Sequence, residues 1–371
     1  MASPRPLPPT PAPEWNYVAE HIKLLHVEGL PFFNHSMLQR VALQIRLYEA
    51  GMLNNKPFLL ENVKGDIVSI MAEPEVESPI WIDRRCNHGD RKKGPYIYYR
   101  TVQCMTSHRD MKQYDPDQAY LPLVVMFPSA PGHCHGHHRH ENKHSNPDST
   151  FYSTELQHIL QVDRASWEQS FEYAHLKGQL KAHHQRLSKI DNIVAFALGS
   201  LATGRTRCQH STTQHAFVLS LQKILSKMHP ENNKVRQTFR NLKKKDSVNL
   251  VVNCVLQDPS YTDVDETVLQ SEGMKILGDP NGFLQVNENS LVVSIAPNTP
   301  VQQIVENLAR PAAIIWETYV QELNGENVEC WTDPSSIRVN KMLREQYDIV
   351  QLKQHQYLRN IVLYIKKAGL D

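Results

Sequence analysis

From Asp191 onward the chain alternates short apolar runs with stretches of helical period. "NIVAFAL" (192–198), "VNLVVNCVL" (248–256), "SLVVSIA" (290–296) and "AAIIW" (312–316) read as strands buried on both faces. Between them, "STTQHAFVLSLQKILSKM" (211–228) and "VQQIVENLA" (301–309) read as helices. A third helix should start after Thr262, a cap candidate with Asp263, Asp265 and Glu266 in the first turn. This alternation predicts an α/β fold: a Rossmann-like, mainly parallel sheet with flanking helices over residues 151–371.

Upstream the pattern changes. "SMLQRVALQIRLYEAG" (36–51) places Leu38, Val41, Ala42, Ile45 and Tyr48 on one helical face, with Gly51 as its stop. "YIYYRTVQ" and "LPLVVMF" are short strand candidates between proline and glycine breaks, so residues 14–130 form an α+β N-terminal region. "STELQHILQVDRASWEQSFEYAHLKGQLKAHHQRLSKI" (153–190) reads as one long or two consecutive helices opening on Ser153 as cap. Residues 1–13 are proline-rich and expected to be a disordered tail.

Composition narrows the class. With 371 residues, 40% hydrophobic and 21% charged, the chain can bury one large core or two smaller ones. A net charge of +1 excludes a globally cationic nucleic-acid binder and leaves only local basic patches. Cys86, Cys104, Cys134, Cys208, Cys254 and Cys330 form no CxxC pair, which points to reduced thiols in a cytoplasmic protein. No signal peptide and no membrane span is visible. Six of the 19 histidines crowd between His133 and His144, in an insertion (131–150) of turn composition. Imidazoles at such spacing can chelate, yet the run lacks the rigid anchors of a zinc site, so a surface insertion and no metal are expected.

Candidate chemistry gathers where the strands end, because ligands of open α/β sheets sit beyond the carboxyl ends where strand order reverses. That rule collects Gly199, Ser200, Asp258, Pro297, Asn298, Glu317 and Tyr319. The turn "GSLATGRT" is neither a dinucleotide fingerprint, which needs glycine at Leu201, nor a phosphate loop, which needs lysine at Arg205. Ser200 can be a nucleophile or a turn serine bonding backbone; His215, one turn into the next helix, is a base candidate. Glu317 and Tyr319 follow an apolar strand and can serve acid/base work, or Glu317 can cap a helix. Asp258 before Pro259 suits a ribose hydroxyl, an ammonium group or a plain turn. "KMHPENNKVRQTFRNLKKKDS" holds Arg236, Arg240, Lys243, Lys244 and Lys245, a stripe fit for phosphate backbone or a solvated helix face. "HLKGQLKAHHQRLSK" is a weaker basic segment upstream.

"IDNIVAFALGSLA", "QHAFVLSL", "QDPSYTDVDETVLQSEGMKIL" and "LVVSIAPNTPVQQIVENL", in this order over about 185–325, resemble the domain named for the plant "sensitivity to red light reduced" protein. Where relatives show MPHCP this chain has "APNTP", and where they show a GNS-type ending it has "WETY". The leading helical half and the WE-type ending resemble fungal arginine-containing cyclodipeptide synthases. That resemblance implies an aminoacyltransferase joining arginine and a second amino acid into a diketopiperazine, with arginyl-tRNA and a second aminoacyl-tRNA as partners and no cofactor. It further implies that Ser200 accepts the first aminoacyl group, that Glu317 or Tyr319 holds the α-amino group, and that Asp258, Asp265 or Glu266 pairs with the guanidinium. The basic stripe would hold tRNA. The alternative implied by the wider red-light family is a non-enzymatic regulator, and a third is a nucleotide-binding transferase.

Overall fold

The computed structural model describes residues 13–53, 56–71, 95–107, 116–126, 152–203, 206–229, 252–317 and 332–369. Beside the two-residue pair β6 (Ala202–Thr203) and β7 (Thr206–Arg207), the alternating C-terminal runs form β5 (Asn192–Phe196), β8 (Asn253–Gln257), β9 (Lys275–Ile276), β10 (Ser290–Ser294) and β11 (Ala313–Glu317). These pair in parallel, and β12 (Tyr347–Gln351) and β13 (Ile361–Lys366) complete a seven-stranded sheet of order β12-β13-β11-β10-β5-β8-β9. β13 alone runs opposite to the other six strands. Such a mostly parallel sheet must be covered on both faces, which explains why every residue of β5 and β10 is buried.

Helices supply the cover. α3 (Ser153–Glu168), α4 (Phe171–Ala182), α5 (Gln209–Met228) and α6 (Asp263–Ser271) lie on one face. α7 (Val301–Leu308) and α8 (Ile337–Gln346) lie on the other. The division follows from chain direction. β5, β8 and β9 step one way across the sheet, β10 and β11 the other, and right-handed crossovers must then place their helices on opposite faces. Strand order therefore reverses between β5 and β10.

The N-terminal region packs onto the α7 face. α1 (Pro13–Val27), α2 (His35–Glu49), the hairpin β1 (Phe58–Glu61) and β2 (Ile67–Ile70), and the pair β3 (Tyr96–Tyr99) and β4 (Leu123–Met126) share one core with Val194, Phe196, Ile314 and Trp316. Ile193, Ala195, Leu291 and Ile315 alternate with them toward α5. No described helix is long and apolar enough to cross a membrane.

Local corrections have plain causes. β5 stops at Phe196 rather than 198, because Ala197 turns to φ +57°, and β10 stops at Ser294 rather than 296, because Ala296 turns to φ +50°. Tyr152, not Ser153, takes the N-cap of α3, and its N–H donates to Glu155 3.2 Å away. Residues 153–187 break after Glu168, with Ser170 capping α4 through Tyr173 N–H at 3.1 Å. Residues 1–12 and the histidine-rich insertion lie outside the described residues.

Candidate functional site: the crevice at the strand reversal

The turn after β5 is held by two carboxylates from distant elements. Gly199, at φ +77°, presents its N–H to Asp258 Oδ2 at 2.7 Å. Leu201 N–H donates to Asp265 Oδ1 at 3.0 Å. Asp258 directly follows β8 and also accepts the N–H and hydroxyl of Ser260. Asp265, 1% exposed in the first turn of α6, accepts the N–H and hydroxyl of Thr262 on Oδ2, completing the box that starts the helix. Asp265 thus joins a helix cap to a strand-end turn.

Ser200 is half-buried within this lattice. Its Oγ lies 2.7 Å from Ala202 O and 2.8 Å from Asp265 Oδ2, so its single proton is shared between two acceptors. Asp265 already takes three other donors, so its two oxygens are engaged in holding the turn and the cap. The lattice makes a firm bend.

His215 faces elsewhere. It is fully buried in α5, with Nδ1 2.7 Å from Ser211 O and Nε2 2.8 Å from the Tyr261 hydroxyl. A backbone carbonyl can only accept, so Nδ1 carries the proton and Tyr261 donates to Nε2. Burial lowers the histidine's pKa, only partly offset by the Ser211 carbonyl and by Asp258 and Asp265, which keeps the ring neutral. Burial first, then those same carboxylates, holds the Tyr261 phenol well above its usual range. Ser211 Oγ closes the set by donating toward the carbonyls of Leu198 and Gly199. His215 braces the turn from behind, with its two ring nitrogens engaged by Ser211 and Tyr261 rather than by Ser200.

The sheet face toward α7 carries a second group of polar side chains. Gln257, Phe196, Ser294 and Trp316 stand in register across β8, β5, β10 and β11. Asp279, two residues beyond β9's last bond to β8, accepts the Tyr99 hydroxyl at 2.7 Å and Gln257 Nε2 at 2.8 Å. Burial pushes its pKa to about 7 against the pull of these two donors. Gln257 Oε1 takes Gly282 N–H, and a Cβ on Gly282 would fall 2.6 Å from that oxygen, so glycine is required. Ser294 is 1% exposed, and its hydroxyl has no hydrogen-bond partner among the described residues. A buried hydroxyl left alone at the strand-reversal point is what a ligand contact would satisfy.

At the far rim Glu317 ends β11, with Arg359 Nη1 3.6 Å from its Oε1. Asp333, 3% exposed, accepts Gln302 N–H at the start of α7 at 3.0 Å. Burial, with Glu317 nearby, raises its pKa to about 8. Thr332 donates to Pro297 O, fastening this rim to the end of β10.

Of the residues expected at the site, Gly199, Ser200, Asp258 and Asp265 meet in one lattice. Glu266 is half-buried in the first turn of α6, and Asn298 is exposed beyond β10. Tyr319, Arg236, Arg240, Lys243, Lys244 and Lys245 lie outside the described residues. Tyr99, Tyr261, Asp279 and Asp333 escaped the sequence reading. Only Asp279, in the turn-rich "GDPNG" after a short strand, left a signal there.

Residues 176–363, about half of the chain, match the family model described as the SRR1 domain. They begin in α4 and end in β13, so they span the whole sheet and this crevice. No curated protein matches the chain.

Proposed function

Because the chain belongs to the SRR1 domain family, we propose that it is a regulatory, ligand-binding member, with the crevice beyond β5 and β10 as its binding site. The observation that carries this reading is the state of Ser200. Its hydroxyl is spent on Ala202 and a fully engaged Asp265, an arrangement that supports a turn better than a nucleophile. The strand order supports a doubly wound, Rossmann-like sheet, whose reversal point is where such folds hold ligands. The rim carries one carboxylate, Glu317, with Arg359 3.6 Å away, and the buried Asp333, whose pKa near 8 keeps it protonated. That chemistry suits a ligand with hydroxyl or amine groups.

Calorimetric titration with guanidines, amines and nucleosides tests the reading. A binder among them should lose affinity in Ser294→Val and Glu317→Gln; equal affinity in both variants removes the crevice as the site. A second reading, the tRNA-dependent cyclodipeptide synthase, is favoured by one observation: Ser200 is half-buried at the mouth with its hydroxyl on a carboxylate. In that reading Ser200 carries the first aminoacyl group, Glu317 or Tyr319 holds the α-amino group, and Asp258, Asp265 or Glu266 pairs with the arginine guanidinium. Purified protein given arginyl-tRNA and mixed aminoacyl-tRNAs should then yield cyclo-Arg-Xaa by mass spectrometry. No product ends that reading, and a fully active Ser200→Ala ends its covalent step alone.

A further inference from the structure

The end of the sheet opposite the crevice carries a different chemistry. α5 starts at the Ser200 turn and runs twenty residues, about 30 Å at 1.5 Å per residue, to the edge where β8 begins. There α5 and α4 lie side by side and enclose a hollow of about 80 Å³. It is lined by the apolar Ile224 and Met228, by Tyr173, and by Lys177, Lys181, Lys223 and Lys227. The lysines sit four residues apart on each helix, so each pair shares a face.

Little offsets this charge. Lys223 Nζ lies 3.2 Å from Glu168, which also receives Arg164. Lys177 stands over the Tyr173 ring, 5.9 Å from its centre. Lys181 and Lys227 have no ion pair among the described residues. Like charges this close repel unless an anion enters, and lysine is a compact point-charge partner for phosphate.

The surrounding sequence extends the pattern. The described chain leaves this edge at His229, next to Lys227, and re-enters at Val252, whose N–H donates to Ser226 Oγ at 3.2 Å. The residues between include Lys234, Arg236, Arg240, Lys243, Lys244 and Lys245 against Glu231 and Asp246. On a chain of net charge +1, the sequence that joins these two points is thus strongly basic. A hollow sized for one phosphate, rooted beside a basic stretch of sequence, fits a polyanion better than a single small anion.

We infer that the hollow lined by Lys177, Lys181, Lys223 and Lys227 is a phosphodiester-binding site that docks the backbone of a nucleic acid. The site is independent of the crevice and of either reading of it. It makes backbone contacts, and so it carries affinity without reading base sequence.

The test uses the full chain, a fluorescein-labelled uridine 20-mer and a labelled 20-base-pair DNA duplex, followed by anisotropy across a salt series. Lys181→Glu with Lys227→Glu should weaken binding tenfold or more. It should also flatten the slope of log K against log salt by about 1.4 for the single strand, the loss of two phosphate contacts. Lys275→Glu with Lys341→Glu, exposed positions elsewhere with the same change in net charge, should weaken it much less. Equal losses in the two double variants, or no loss in the first, overturn the site. Tight binding of inorganic pyrophosphate, or of vesicles rich in phosphatidylserine, with neither nucleic acid bound, overturns the assignment of its ligand. Circular dichroism and melting establish that both variants fold, and a crevice ligand's affinity should be unchanged in both.

Discussion

Asp265 accepts from Leu201, Ser200 and both donors of Thr262, and so one side chain closes a helix cap and a turn 64 residues away. Removing it strands buried N–H groups, each of which costs on the order of 1–3 kcal/mol when unpaired. Asp265→Ala should therefore lower the urea unfolding free energy by about 3 kcal/mol, whereas Ser200→Ala should cost about 1 kcal/mol, one neutral hydrogen bond. Equal losses would mean that the carboxylate is not the centre of this lattice. The sequence offered Asp265 as a first-turn partner of the helix dipole, which is half of its role. The other half depends on Leu201 arriving beside it, and no local pattern encodes that.

Elements were legible to the degree that their signals are local. α2 shows its apolar face directly, with Leu38, Val41, Ala42 and Ile45 buried as spaced, and Asn34 capping Met37 N–H at 2.8 Å. Asn34→Ala should destabilise by about 1 kcal/mol in the same unfolding assay, and an unchanged midpoint would show the helix start to be fixed by packing instead. The four inferred strands overlap β5, β8, β10 and β11, because runs apolar on both faces have few other homes than a doubly covered sheet. Their ends were less legible. Ala197 and Ala296 leave the strands in left-handed backbone, a conformation that side chains with a Cβ adopt rarely and that alanine does not announce. β9, two residues long, carries too little pattern to be seen, although it positions Asp279.

At the scale of the molecule, buried titratable groups pull stability in opposite directions with pH. Asp333 and Asp279, held near 8 and near 7, stay protonated in the folded state where the unfolded chain is ionised. The folded state then binds more protons above about pH 4, so stability falls as pH rises toward those values. His26, lowered to about 4 by burial and by Arg338, and His215, lowered by burial, do the reverse: the unfolded chain binds more protons below about 6.5, and stability falls on acidification. Melting temperature should peak between these limbs. Asp333→Asn keeps an oxygen for Gln302 N–H and should flatten the alkaline limb while leaving the acid limb in place. An alkaline limb as steep as in the unsubstituted protein would exclude Asp333 as its source.

Sequence by itself determined the alternation of buried strands and helices and the placement of Gly199, Ser200 and Asp258 at strand ends. Those properties follow from periodicities of 2 and 3.6 and from turn chemistry, which act within a few residues. Tertiary structure decided the order β12-β13-β11-β10-β5-β8-β9, the docking of Tyr99 onto Asp279, the isolation of Ser294 and the convergence of four lysines on one hollow. Each depends on which surfaces meet when distant elements bury their apolar faces. That choice is made by the packing of the whole chain.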